Sequence, residues 1–458
     1  MKNSSLFAAF LFSWFQGNSQ YYISKEKAIE DLDFCNKTLQ EVHYNPFLFV
    51  ERDAYFAEVE NIKSLLQDSV PIQDFILSLY GLTAMMEDSH SSPAFQQPAL
   101  QEEETKKQFF PYKTVLDNDK LYVPNETALV SGIPVGSEIT AINNVDIGPL
   151  LVKYQNNIGG LPQYKKEVAN RLLFRSLYLS GIKAPFIIDY INPSGRKDQK
   201  RVDEGISNVQ GLLVAYPGFA EGNYYKILED KTGYIKFSNM VGSIDEWIQF
   251  LKTAFAEFRE KNIQHVAIDI RDNSGGDSIL GEVLFGFITT KEYQLMGYKK
   301  WKVSQLYKDN LIANGMTSEE YLQKETGSIW EIGDCETAVS RMPVEDKFQG
   351  QVYLLTGAFT FSSANMIADG AKEYELAQLV GEPTGEMTTD FGELFSITLP
   401  NSEIILNITT SLDVGAACDP DSKSAVTPDV LIVPSLEDKI NGKDKVLEYV
   451  LKQAKGTK

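Results

Sequence analysis

Two periodicities divide this chain. Up to about Phe95 the apolar residues recur at helical spacing: Ile29, Leu32, Leu39 and Val42 mark one face, and Phe75, Leu77, Leu79, Leu82 and Met86 mark a second apolar stretch. Gln96 to Gln108 is polar and charge-rich, with Glu102-Glu103-Glu104, and reads as a linker. From about Phe109 to Val209 the pattern predicts short strands at Lys120–Val123, within Ile133–Asn144, where a Pro/Gly turn runs into an alternating strand ended by Asn-Asn, and at Phe186–Ile191. After Tyr224, strands and helices alternate. Gly233–Phe237 is a strand, and Ser243 with Glu246 forms a capping box. The helix they open carries Trp247, Ile248, Leu251, Phe255 and Phe258 on its inner face. Val266–Ile270 is a buried strand, followed by a glycine-rich loop and a helix from Ser278 to Thr289. Val352–Leu355 is another strand, Thr356 to Phe361 a turn, and Ser362 opens a helix. This alternation predicts a mostly parallel sheet with helices packed on it.

Composition narrows the class. Of 458 residues, 43% are hydrophobic and 23% charged, which suits a globular protein of several domains. The net charge of −20 argues against a phosphate-backbone partner, since no basic cluster offsets it. The run Gly195 to Arg201 reads as a solvated loop. Lys2, the ten-residue apolar run Leu6 to Phe15 and Gly17-Asn18-Ser19 have the layout of a signal peptide over residues 1–19, so export to a periplasmic or extracellular space is expected. No other stretch is long and apolar enough for a membrane span. Cys335 and Cys418 can pair in an oxidising compartment, leaving Cys35; equally, all three can be buried small hydrophobes. With three histidines and no metal-ligand spacing, no metal or cofactor is expected.

Two elements carry the chemistry. A serine at a helix N-terminus stands beside unpaired amides and the positive end of the dipole, which suits a nucleophile whose product is an oxyanion, although Ser362 or Ser363 can equally be a simple cap. The loop Arg271–Gly276 after strand residue Asp269 offers glycine amides that can approach a carbonyl closely.

These blocks resemble a known family. Asp269-Ile270-Arg271-Asp272-Asn273-Ser274-Gly275-Gly276 is similar to the signature of carboxyl-terminal-processing (tail-specific) and tricorn-like serine peptidases. Phe361-Ser362-Ser363-Ala364-Asn365 resembles their nucleophile segment, and Gly381-Glu382-Pro383-Thr384 stands at the family's spacing, with Glu382 twenty residues after Ser362. The resemblance implies an α/β ClpP/crotonase-like core over 211–458. It extends loosely to a PDZ-like β-domain over 109–210, where Ile133-x-x-Gly136-x-x-Ile139-x-x-Ile142-Asn143 lies, and to an N-terminal helical region over 20–108. It implies Ser362 as nucleophile, with the amides of Ser363 and of Gly275 or Gly276 as oxyanion hole. The tail-specific lysine is missing: Met387 occupies its place, and no Lys or Arg lies between Lys372 and Lys423. The tricorn-like branch uses histidine, and Glu87-Asp88-Ser89-His90-Ser91 resembles that element, so His90 is the expected base. His43 is read as a helix cap and His265 as structural. The third member falls near Ser422, with Asp421 the expected orienting acid and Asp419 behind it. Together these imply an exported serine endopeptidase acting on peptide or protein substrates. Asn365, in place of the usual Glu, leaves a non-catalytic peptide- or apolar-ligand-binding relative as the alternative. A crotonase-like acyl-thioester enzyme is disfavoured by the export signal.

Overall fold

A computed structural model describes residues 22–125, 132–216, 218, 221–340 and 342–456. The expected signal peptide lies outside the described residues.

The chain starts as three helices, Lys25–Val42, Arg52–Leu65 and Ile72–Ala84. Ser24 caps the first by accepting from the Lys27 amide, and Ala28, Leu32, Cys35, Leu39 and Val42 form its buried face. Ile29 lies on the flank of that face, half-buried. The third helix buries Phe75, Ile76, Leu79 and Leu82. Beyond it Glu87 takes a positive φ of 53°, turning the chain into Asp88–Ser91. Ser92–Pro93 then pairs antiparallel with the strand Ile405–Val414, more than three hundred residues away. The expected linker is partly anchored: buried Gln97 accepts from the Ile405 amide and donates to the Ile405 carbonyl.

A six-stranded antiparallel sheet follows, ordered Val115–Asp117, Lys120–Tyr122, Glu138–Ile142, Phe186–Ile191 and Lys197–Val202, with Val145–Asp146 pairing back onto Glu138–Ile142. The strand Lys197–Val202 contains most of the basic run expected to be a loop; its exposed residues alternate because one face meets water. Three helices, Ile147–Asn156, Pro162–Arg171 and Leu173–Leu179, interrupt a region expected to hold only strands. The first buries Ile147, Leu151 and Tyr154, a helical spacing that was present in the sequence.

The central sheet runs Tyr224–Leu228, Thr232–Lys236, His265–Asp269, Gln351–Thr356, Gln378–Gly381 and Val430–Leu431, parallel except for its first pair. Its inner strands Thr232–Lys236, His265–Asp269 and Gln351–Thr356, the last beyond its first residue, are buried on both faces. Helices Ile244–Glu260, Ile279–Ile288 and Ser363–Glu373 pack on one side. The amphipathic helix Lys445–Gly456 covers the other, seating Val446 and Val450 on Tyr234, Ala267, Tyr353 and Val380. A second sheet joins Ile329–Gly333, Tyr298–Lys302, Ile405–Val414 and Asp390–Thr398. Leu399–Ser402 belongs to the turn of the last hairpin. Buried Asp31 fastens that turn to the first helix, accepting from the Asn401 and Ser402 amides at 2.9 and 2.7 Å. Cys335 and Cys418 form a disulfide, and Cys35 is buried and free.

Candidate active site

Ser362 stands between the strand Gln351–Thr356 and the helix Ser363–Glu373, with φ 54° and ψ −131°. A non-glycine residue holds such a backbone only where its surroundings impose it. Here they do. The Phe361 amide donates to the Asn273 carbonyl, Thr360 Oγ1 donates to the Ile270 carbonyl, and the Ser362 amide donates to Glu386 Oε2 at 2.5 Å. The turn is thereby tied to the Asp269–Gly276 loop on one side and to the segment after Gly381 on the other.

The glycine loop presses against this turn. A Cβ on Gly275 would lie 2.6 Å from Ser362 Cβ and 2.9 Å from the Ser363 amide, so only glycine fits there. The Gly275 amide already donates to Asn273 Oδ1 at 2.9 Å. The amides of Gly276 and Ser363 have no partner among the described residues. Ser363 Oγ donates to the Gly276 carbonyl at 2.6 Å, fixing that peptide unit in place. The charged residues of the loop do other work. Asp269 is held down at about 2, against the raising effect of burial, by Arg271, which also pairs with Asp444. Asp272 pairs with Arg171 and Lys236.

His90 lies on the same cleft as Ser362, an open cavity of about 1210 Å³. Its ring packs on Phe361 with centroids 4.5 Å apart. Nδ1 is 3.4 Å from Glu386 Oε1, close but too poorly aligned for a hydrogen bond, so this buried nitrogen has no hydrogen-bond partner among the described residues. Burial pushes the His90 pKa below the usual 6.5, and the charge of Asp88 opposes that shift. Asp88 Oδ1 accepts from the His90 amide at 2.8 Å, while Oδ2 accepts from His43 Nε2 at 3.0 Å and from Thr409 Oγ1 at 2.7 Å. His43 is therefore more than the expected cap. Its ring is fully buried, and because Nδ1 accepts from the Asn45 amide, the neutral ring carries its proton on Nε2 toward Asp88. Burial would raise the Asp88 carboxyl, but His43 and His90 bring it below the ordinary carboxylate range.

Glu386 touches both sides of the site, and the sequence reading missed it. Burial, then repulsion from Asp390, raises its carboxyl well above 4.5 against the pull of the Ser362 amide. Asp390 is raised in turn by burial and by Asp88. The expected acid Asp421 stands elsewhere: it is exposed, its amide donates to Asp419 Oδ1 at 3.0 Å, and it does not line the cleft. Asp419 offers its carbonyl to Thr389 Oγ1. Both belong to a loop that braces the segment carrying Glu386 rather than to the cleft itself. The loop is polar because its outer side is wet, which makes its acids indistinguishable in sequence from an orienting one. His265 starts a core strand with Nδ1 3.3 Å from the Tyr353 hydroxyl, as a structural residue does. No group of acids, histidines and cysteines able to hold a metal ion occurs among the described residues.

Residues 231–432 match the model of peptidase family S41. No curated protein matches the sequence. Among solved structures, mature CPAF is similar with a TM-score of 0.66 at 16% identity, covering 94% of this chain and 97% of that one. CPAF complexed with lactacystin gives 0.63 at 16%, covering 94% and 98%. The photosystem II D1 C-terminal processing protease gives 0.44 at 11%, covering 92% and 97%. The likeness to CPAF is one of fold.

Proposed function

We propose that this protein, whose residues 231–432 match the model of peptidase family S41, is an exported serine-type endopeptidase working through Ser362, His90 and Glu386. The observation that carries this reading is that one carboxylate, Glu386, reaches both the Ser362 amide and His90 Nδ1. Ser362 Oγ attacks the peptide carbonyl carbon while His90 Nε2 takes its proton. Ionised Glu386 accepts from Nδ1–H, which selects the tautomer with a free Nε2 and stabilises the imidazolium that forms. The Ser363 and Gly276 amides hold the oxyanion; the occupied Gly275 amide serves the loop instead. Collapse of the tetrahedral species expels the amine, which takes the proton from His90, and water then releases the acyl group by the same route. The PDZ-like section supplies one wall of the cleft through Tyr164, whose ring stacks on Phe361 at 4.4 Å. The disulfide fits an oxidising compartment and so favours export.

Hydrolysis of a quenched-fluorescence peptide library tests the reading. Cleavage by the wild type and none by Ser362→Ala is expected, and lactacystin, bound by CPAF, is expected to inhibit. Cleavage undiminished in Ser362→Ala would refute it.

A further inference from the structure

A second cavity, of about 270 Å³, adjoins the cleft and shares Ser89, Phe95, Tyr164 and Tyr216 with it. Its lining is mostly apolar, with Leu77, Ile158, Val168, Leu172 and Leu179. Arg175, on the helix Leu173–Leu179, is the cation in this lining and is only 3% exposed. Its Nη1 donates to Glu104 Oε1 at 2.8 Å, and Phe95 covers its guanidinium at 4.2 Å. Its Nε and Nη2 have no hydrogen-bond partner among the described residues. The Tyr80 hydroxyl stands close to the guanidinium: burial raises its pKa, and the Arg175 charge and a weak hydrogen bond to Arg175 oppose that shift, but its geometry leaves Nε and Nη2 unsatisfied. Ser89 Oγ, on the same lining, is likewise buried and unpaired.

Buried donors without acceptors are costly, and two on one guanidinium form the fork that a carboxylate fills with two parallel hydrogen bonds. The neighbouring acids do not fill it. Glu104 is committed to Nη1. Asp88 also lines the cavity, but both its oxygens are taken, by the His90 amide on one and by His43 and Thr409 on the other.

We propose that this cavity is a binding site for a carboxylate carried on a short apolar body, with Arg175 Nε and Nη2 holding the carboxylate and the leucine, isoleucine and valine side chains holding the body. The volume suits about nine non-hydrogen atoms, given some 30 Å³ for each water-sized group. A C-terminal leucine of a peptide and a free medium-chain acid share this chemistry. Ser89 precedes His90 and lines both cavities, so an occupant bears on the loop that carries His90.

Two arms test the site. The first measures binding of hexanoate and of its neutral isostere hexanamide to the full chain by calorimetry, and it does not depend on the peptidase reading. Hexanoate is expected to bind at least about tenfold more tightly than the amide, the margin of a charge-assisted pair of hydrogen bonds. Arg175→Lys, which keeps the charge opposite Glu104 but not the fork, is expected to erase that margin. Ser176→Leu fills the cavity from the same helix without touching the guanidinium, and it should do the same; this covers the case in which Arg175→Lys folds poorly. The second arm rests on the peptidase reading and compares kcat/KM for a peptide ending in a free leucine carboxylate with its C-terminal amide. An advantage of about tenfold for the free peptide, lost in Ser176→Leu, identifies a substrate tail; hexanoate changing the turnover of the amidated peptide identifies a free acid. Equal behaviour of acid and amide in both arms overturns the proposal. Absence of any peptide hydrolysis, with hexanoate still bound, overturns the peptidase reading and leaves the carboxylate site standing.

Discussion

Ser362 and His90 meet on one cleft but are held there by different kinds of structure. The serine sits on a strand, a turn and a helix that are contiguous in the chain, and its strained backbone is held by the neighbouring glycine loop and Glu386, all within the same central-sheet region. The histidine sits six residues beyond the end of a helix that belongs to another part of the fold. Its position comes from Asp88, which is gripped by His43, forty-five residues before it, and by Thr409, 321 residues after it. Pairing of Ser92–Pro93 with Leu406 and Asn407 completes the attachment. A nucleophile built within one sheet and its loops is insulated from changes in the other parts of the fold. A base built by distant contacts depends on every one of them, and the comparison can be broken at each point.

The largest effect is expected for His90→Ala. Peptide turnover should fall by about ten-thousand-fold or more, as when a member of such a constellation is removed, with the thermal melt little changed. Activity within tenfold of wild type would detach the base from this loop. Next comes Glu386→Gln, which keeps the acceptor toward the Ser362 amide but loses the charge facing His90. A loss in kcat of about a hundredfold to a thousandfold is expected, whereas Asp421→Asn should stay within about twofold of wild type. The reverse order of these two variants would restore Asp421 as the orienting acid.

Asp88→Asn acts on the base side by contact, and by removing a charge that also raises Glu386 it moves the orienting acid in the same direction. The amide can still accept from the His90 N–H, but its NH2 would face the His43 Nε2–H, a donor against a donor. A drop in kcat of about tenfold to a hundredfold with little change in KM is expected. Loss of the Asp88 charge should also lower the His90 pKa further, moving the acid limb of the pH profile down; a merely structural role predicts no such movement. His43→Gln, which can keep a donor toward Asp88, should retain more activity than His43→Leu.

The smallest effect is a shift of pH. Catalysis needs neutral His90 and ionised Glu386. Burial pulls the first pKa down and pushes the second up, so the acid limb belongs to the pair and lies above the ordinary Glu value of 4.5. Asp390→Asn removes a charge that raises Glu386 and should therefore extend activity to lower pH, without a large change in the plateau rate. A limb that stays in place would dissociate Asp390 from Glu386.

The same contrast explains what the sequence could reveal. The parallel strands around Ser362 and Gly275 were legible because the alternation of strand and helix is written in short windows, whereas Ser362 and the glycine loop were read through the resemblance, since a serine at a helix start also suits a simple cap. His90 was reached less directly, through a resemblance and the missing lysine at Met387. Glu386 was adjacent to that gap and still went unread, because Glu382, Glu386 and Asp390 are equally acidic in sequence and differ only in what buries them. His43 looked like a cap since its partner is forty-five residues away. The helices over 147–179 were a different failure: Ile147, Leu151 and Tyr154 kept helical spacing, but the strands on either side set the expectation for the whole stretch.

Labelling with a fluorophosphonate probe, followed by peptide mapping, tests the central assignment most directly, since only an activated serine reacts and the adduct names its residue. One adduct is expected, on Ser362, absent from Ser362→Ala and strongly reduced in His90→Ala, with Ser363→Ala still labelled. An adduct on Ser363, or none on a folded wild-type protein, would contradict the account.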